Sequence, residues 1–224
     1  RAINAALRVG GDRELDILIA FSTGTDLKDE IKAEALAALG TWSNPSVLDR
    51  VDGRFRGRVE RDPSAVRSKL KPHIARFLKE SNPETLIAVA GLLANLNIAD
   101  ANEQLAKIYA ETKESRVKMA ILPALQRLNY AKMESVIKSG MEDADEQVRT
   151  VALGLLNNSN VSKESLPSIV NTIFAKGGIR EQQQMLVVLG KLDTEKTASI
   201  LGNLIGQMSD NKLSPDLNLE LKEA

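Results

Sequence analysis

Residues 145–156 read Asp-Glu-Gln-Val-Arg-Thr-Val-Ala-Leu-Gly-Leu-Leu, and this stretch decides the fold. Its main apolar residues follow the i, i+4, i+5, i+8 spacing of one helical face: Val148, Ala152, Leu153 and Leu156. The same spacing recurs in full at residues 31–39 and 117–125, and in weaker form at 89–96 and 185–189. A face repeated in this way predicts helices that bury one side against their neighbours.

The copies recur at a nearly constant interval. From Leu93, the matching leucines at 125, 156 and 189 lie 32, 31 and 33 residues apart. A second amphipathic segment lies between copies, at residues 12–22, 64–80, 100–112, 131–141, 163–176 and 194–208. A two-helix unit of this length is typical of an α-solenoid, in which each unit buries its apolar face on the next. The sequence therefore predicts an all-α superhelix of about 11 helices in roughly five repeats, forming one domain over residues 1–224.

Composition agrees with helices and excludes several chemistries. Ala and Leu make up 55 of the 224 residues, whereas Phe, Trp and Tyr make up 7. Because the chain has no Cys and one His, it can hold no thiolate nucleophile, zinc ribbon, covalent c-type haem or imidazole cluster. The 30 basic residues balance the 30 acidic ones, which argues against a dedicated nucleic-acid binder. The longest uncharged run has 15 residues, so we expect no membrane span.

The pattern Asp145-x-x-Val148-Arg149-x-x-Ala152-Leu153-x-x-Leu156 resembles the second-helix signature of HEAT repeats. The resemblance covers nearly the whole chain and implies a scaffold fold without implying an activity. It also implies that the Asp and the basic residue form hydrogen-bonded ladders between adjacent repeats. Lys32 and Lys118 fall in the position of Arg149, although the Asp position is not kept in those copies.

One segment, residues 43–64, breaks the period and is called the insertion below. Leu39 and Leu93 are 54 residues apart, about 22 more than one repeat. Loops of this length in a compact array are usually functional or mobile. Pro45 and Pro63 stiffen its ends, and its apolar residues are too many for a solvated tether. We therefore expect the insertion to be ordered against the helices, with Phe55 and Val59 packed on them.

The insertion is rich in arginine. Arg54, Arg56 and Arg58 alternate with other residues, so an extended segment would place them on one side, facing a preceding domain. Their guanidinium groups could bind carboxylates or phosphates. Alternatively, they pair with the four nearby acids and pin the loop: Asp49, Asp52, Glu60 and Asp62. The candidate residues for docking a domain or partner are Trp42, Asp49, Arg50, Arg54, Phe55, Arg56 and Arg58.

Residues 39–56 and the tail 213–224 carry a second, narrower resemblance. They are similar to the HEAT segment of large bacterial sugar-dehydrogenase-like proteins, which lies between a β-propeller and a c-type haem-binding domain. The resemblance implies a periplasmic or extracellular protein whose dehydrogenase and haem residues lie outside these 224 residues. The chain opens at Arg1 within a helical pattern, so we expect it to be cut from something longer.

These observations predict a non-catalytic helical scaffold that positions domains or binds a protein partner. No catalytic, cofactor-binding or metal-binding residue is predicted within it. One alternative is a free-standing scaffold that binds a peptide or protein in a concave groove. The other is a HEAT-type nucleic-acid binder or DNA glycosylase-like enzyme, which would need a basic face with exposed aromatic residues.

Overall fold

The computed structural model describes residues 1–159 and 161–224, and there the chain is all-helical, as predicted. In that part, the only β pairing is an isolated antiparallel bridge between Leu48 and Phe55. The α-helices of the described residues are α1 Ala2–Val9, α2 Asp12–Thr23, α3 Asp29–Gly40, α4 Pro63–Leu70, α5 Ile74–Phe77, α6 Pro83–Asn95, α7 Asn102–Glu111, α8 Ser115–Arg127, α9 Met133–Met141, α10 Glu146–Leu155, α11 Leu166–Lys176, α12 Ile179–Leu189, α13 Thr194–Ser209 and α14 Asn218–Glu223.

Local sequence explains where several of these helices begin and end. Asp145 caps α10 by accepting a hydrogen bond from the Gln147 N–H at 2.8 Å, and Asn82 caps α6 in the same way through Thr85. The helix predicted over 64–80 is interrupted, because Pro72 has no N–H to continue the helical ladder. A 3-10 turn, Lys71–His73, therefore separates α4 from α5. This break and the short α14 raise the number of helices above the predicted 11.

The first compact unit covers Arg1–Tyr130. Helix α3 packs against α2 and α6, and α6 also packs against α8. At Gly40, a Cβ would lie 3.0 Å from the Cα of Leu92, so the absence of a side chain allows α3 and α6 to approach closely. Leu39 and Leu93 are buried in this core, whereas Ile31, which the repeat pattern placed on the same face as Leu39, is 36% exposed.

The second compact unit covers Ala131–Ala224. Helix α10 packs against α9 and α12, and α12 also packs against α11 and α14. The leucines that mark the repeat are at most 1% exposed throughout the chain: Leu93, Leu125, Leu156 and Leu189. The solenoid arrangement and the single continuous domain both stay predictions. None of the helices in the described ranges has the length and apolar character needed to cross a bilayer.

Candidate functional site

The insertion connects α3 to α4, and Arg61 fastens its far end. The Arg61 guanidinium donates from Nη1 to the Trp42 carbonyl oxygen at 2.7 Å. From Nη2 it donates to the carbonyl oxygens of Leu7 at 2.9 Å and Arg8 at 3.3 Å. The same group lies 4.7 Å from the centre of the Trp42 ring, a cation–π distance. One side chain thus joins the end of the insertion to its start and to α1.

Arg61 donates to the carbonyl oxygens of Leu7 and Arg8, and both residues lie in the last turn of α1, where a positive charge is favoured. Carbonyl groups at the C-terminus of a helix lack helical partners and carry partial negative charge. Burial lowers the pKa of Arg61 from its ordinary value, and the nearby positive charge of Arg8 adds to the effect. Trp42, one of the residues predicted for docking, is 3% exposed, so it packs at the base of the insertion and offers little surface to a partner.

Asp49 is the second anchor, and its side chain is 7% exposed. Its carboxylate accepts hydrogen bonds from the backbone N–H groups of Val51 at 2.8 Å and Asp52 at 3.3 Å. It also accepts from Asn4 Nδ2 on α1 at 3.2 Å and from Arg56 Nε at 3.3 Å. These contacts lower the pKa of Asp49 to about 2, and the hydrogen bond from the Val51 N–H makes the largest contribution. The hydrogen bonds from Asn4 and the Asp52 N–H and the charge of Arg56 lower the pKa further, whereas burial acts in the opposite direction.

Residues 47–56, which include Asp49, form a hairpin-like turn. The Asp49 N–H donates to the Arg54 carbonyl oxygen at 2.8 Å, and the Arg56 N–H donates to that of Val47 at 2.8 Å. Gly53 turns the chain with a φ of +70°, which a residue with a side chain adopts only with strain. Since Leu48 and Phe55 face each other across the antiparallel bridge, their side chains lie on the same face.

The arginines of the insertion pair mainly with local acids, as the alternative interpretation expected. Arg56 binds Asp49 and Asp52, Arg54 lies 3.8 Å from Asp52, and Arg58 lies 2.7 Å from Glu60. Asp62 does not join these pairs but caps α4 by accepting from Ser64. Arg50, Arg54 and Arg58 remain exposed to solvent.

Apolar side chains of the turn face solvent, and this corrects one expectation. Phe55, expected to pack on helices, is 73% exposed, while Val59 is half-buried. Val51 and Leu48 are 54% and 50% exposed, and Val47 is also exposed. Hydrogen bonds of the backbone, Asp49 and Arg61 hold the turn in place. Its apolar side chains are therefore not needed to fix it and stay exposed to solvent. Leu48 and Phe55, whose side chains lie on the same face of the turn, are called the apolar turn face below.

An open groove of about 510 Å³ lies between α1 and the insertion. Its polar lining includes Asn4, Arg8, Asp49 and Arg56, and its apolar lining includes Val9 and Val59. Arg8 donates from Nη2 to the Leu48 carbonyl oxygen at 2.5 Å, and its Nε lies 4.0 Å from Asp49. Sequence reasoning missed Asn4, Arg8 and Arg61, because their partners are separated from them by 40 residues or more or are backbone carbonyls.

The Asp-to-basic-residue ladder implied by the HEAT resemblance stays a prediction, and the structure shows at Arg149 a different link between two helices. Arg149 on α10 binds Glu181 on α12 through two hydrogen bonds, and it also donates to the carbonyl oxygens of Asp143 and Ala144 at 3.0 Å. Asp145 caps α10. In the first copy of the repeat, Lys32 pairs with Asp29 of its own helix at 3.2 Å.

Across residues 1–159 and 161–224, no three His, Asp or Glu side chains converge as metal ligands would. No family model matches the chain, and no curated protein matches it. A solved structure that matches is the crystal structure of an engineered protein, a target of the Northeast Structural Genomics Consortium. It is 17% identical, the match covers 94% of each chain, and the TM-score is 0.55. The chain shares a fold with that protein, and the likeness extends to nothing else.

Proposed function

We propose that the chain is a non-catalytic helical-repeat scaffold that docks a protein through the insertion. The observation that carries the proposal is the apolar turn face, led by Phe55 at 73% exposure, on a turn that is held by Asp49 and whose base is closed by Arg61. An apolar surface that is exposed and held in place loses little conformational freedom when it is covered. Arg50, Arg54 and Arg58 supply the polar rim that is typical of protein interfaces.

The proposal also says which protein is docked. On the basis of the resemblance, we place the chain within a larger secreted sugar-dehydrogenase-like protein whose adjoining domain binds c-type haem. The turn would then contact a neighbouring domain of that protein. The helical segment itself would position domains in the periplasm or outside the cell and would carry no catalytic residue.

The nucleic-acid alternative has less support. A base-stacking site needs several exposed aromatic rings along a basic path. Phe55 is the single strongly exposed aromatic residue among the described ones, and three of the arginines near it are paired with acids. A protein surface of mixed charge and apolar character fits these features better.

Site-specific photo-cross-linking in the source cells tests the proposal. A benzoylphenylalanine replaces Phe55 in one variant and Leu219, which is 64% exposed on α14, in the control. We expect cross-links to one defined protein segment from position 55 and none to that segment from position 219. Mass spectrometry of the cross-linked peptide would distinguish a neighbouring domain of the same chain from a separate protein. The proposal would be overturned if position 55 gave no specific cross-linked product. It would also be overturned if Leu48→Ser did not reduce the yield of that product.

A further inference from the structure

Two consecutive copies of the repeat end in the same backbone turn. Asn97 and Asn129 follow the ends of α6 and α8, and their φ values are +53° and +52°. A residue in this left-handed conformation is a common way to end a helix. In each copy the next residue donates its N–H to the carbonyl oxygen of the leucine that marks the repeat, at 2.9 Å from Ile98 and 3.0 Å from Tyr130. The two turns are therefore equivalent, and Ile98 occupies the position that Tyr130 has in the following copy.

Tyr130 fills its position and satisfies its hydroxyl group. It is 7% exposed, and its hydroxyl donates to Glu103 on α7 at 3.0 Å. Glu103 and Tyr130 are 27 residues apart, and at the same separation the earlier copy has Lys71 and Ile98. Isoleucine is smaller than tyrosine, so it leaves space where the ring would lie. Lysine offers a positively charged donor where glutamate offers a negatively charged acceptor.

A pocket of about 500 Å³ is present at this place in the earlier copy and is called the Ile98 pocket below. Its apolar lining includes Ile74, Ile98 and Ala101, and its polar lining includes Arg67 and Lys71. Ala101 is 2% exposed, and the two isoleucines are half-buried. Apolar walls with a few polar groups and a volume of this order are typical of sites for small organic molecules.

The cations of the pocket are free to bind an anion. Arg67 donates from Nε to the Leu96 carbonyl oxygen at 2.6 Å, which orients the guanidinium and leaves Nη1 and Nη2 for other acceptors. Among the described residues, neither Arg67 nor Lys71 lies within 4.0 Å of a carboxylate oxygen. Both side chains are exposed. With Asp100, the one acid of the lining, the pocket carries a net charge of about +1, which favours a ligand with one negative charge.

From these observations we infer that the Ile98 pocket binds a small aromatic carboxylate. The ring of the ligand would lie where the Tyr130 ring lies in the following copy, against Ile74. Its carboxylate would accept hydrogen bonds from Arg67 and Lys71. The lining includes no residue of the insertion, so the inference goes beyond the proposed docking function and does not depend on it.

Isothermal titration calorimetry with three aromatic carboxylates tests the inference: benzoate, phenylacetate and 2-naphthoate. We expect at least one of them to bind saturably, with a Kd of about 1 mM or lower. The corresponding amide should bind about tenfold more weakly, because it lacks the charge that the two cations recognise. Acetate at equal concentration should not displace the aromatic acid. The inference is wrong if none of the three acids binds, if acid and amide bind equally, or if acetate competes equally.

Three variants locate the binding. Ile98→Tyr installs the residue of the following copy, so the new ring should fill the pocket and abolish binding, while circular dichroism verifies that the helices are retained. Lys71→Gln should weaken binding about tenfold, and because Lys71 is exposed its replacement keeps the fold. Lys79→Gln makes the same charge change at an exposed site outside the pocket and should leave binding unchanged. Unchanged binding by Lys71→Gln or by folded Ile98→Tyr, or equal weakening by Lys79→Gln, would overturn the inference.

Discussion

Arg149 and Glu181 form a bidentate pair that joins α10 to α12, with Nε and Nη2 of the guanidinium 2.7 and 3.0 Å from the two carboxylate oxygens. The Glu181 side chain is 2% exposed and also accepts from the Gly178 N–H at 2.9 Å, where it helps to start α12. The hydrogen bonds between the two side chains are the main reason that the pKa of Glu181 is lowered. The same bonds are the main reason that the pKa of Arg149 is raised. The pair therefore links two adjacent helices and depends on the charge of both partners.

Replacing Glu181 by Gln should lower the free energy of unfolding by about 3 kcal/mol, because it leaves a largely buried guanidinium without its anion. Since folding lowers the pKa of Glu181, its stabilising effect is present above the ordinary value of 4.5 and is lost as the pH falls below it. Urea unfolding at pH 7 and below pH 4 measures both effects. The exposed control Glu164→Gln should change little at either pH. A loss for Glu181→Gln that is equal at both pH values would contradict the assignment.

Leu156 tests the repeat register, because it is one of the leucines at the 32-residue interval and is 0% exposed. Leu156→Ala should cost roughly 2–5 kcal/mol through lost burial and a cavity. Leu219→Ala makes the same change at a site 64% exposed and should cost less than about 0.5 kcal/mol. Thermal melts of the two variants provide the comparison. Similar melting temperatures for both would show that the register is wrong.

Arg61 should protect the insertion from proteolysis. Arg61→Gln removes three hydrogen bonds and the contact with the Trp42 ring, so the insertion should open more often. We expect trypsin to cut after Arg50 and Arg54 at least about tenfold faster in this variant. Arg58→Gln is the matched control, because it also removes one tryptic site from the insertion but leaves the anchors intact. Cleavage after Lys107 in α7 gives an internal reference, and equal rates in both variants would refute the anchoring role.

Asp49 should make the first unit sensitive to acid. Its folded pKa of about 2 lies below the ordinary 3.8, so its stabilising effect is complete above about pH 4 and disappears as the pH falls through 2. Asp49→Asn should therefore melt at a lower temperature than the wild type at pH 7, with the difference shrinking between pH 4 and pH 2. The exposed Asp100→Asn should show no such pattern. A difference that is constant over this range would mean that the Asp49 charge contributes nothing.

The helices and the buried leucines could be predicted from the sequence because both follow from one periodic pattern. Each copy of the spacing places its leucine on the packed face, and Leu156 and Leu189 are buried accordingly. Ile31 is an exception, since it lies in the first turn of α3 and points partly to solvent. Periodicity describes the middle of a helix better than its ends.

The site was less predictable, for a physical reason. The alternation of arginine and other residues assumes an extended segment, but Gly53 and Gly57 both adopt positive φ and turn the chain. Phe55 consequently faces solvent and Arg56 reaches Asp49. Backbone carbonyls, such as that of Leu7, accept the key hydrogen bonds of Arg61, and no residue type marks such an acceptor.

The way Arg61 closes the base of the insertion also makes this position suitable for grafting. Its backbone N–H donates to the Ser43 carbonyl oxygen at 2.8 Å, so the chain departs from the helical body and returns to it at one point. The length of the intervening chain then need not match any spacing between helices, and doubling a flexible loop costs only about 0.6 kcal/mol in closure entropy. A foreign peptide could therefore replace the turn, provided that Trp42 and Arg61 are kept. The contacts of Arg61 would then hold the two ends of the peptide together.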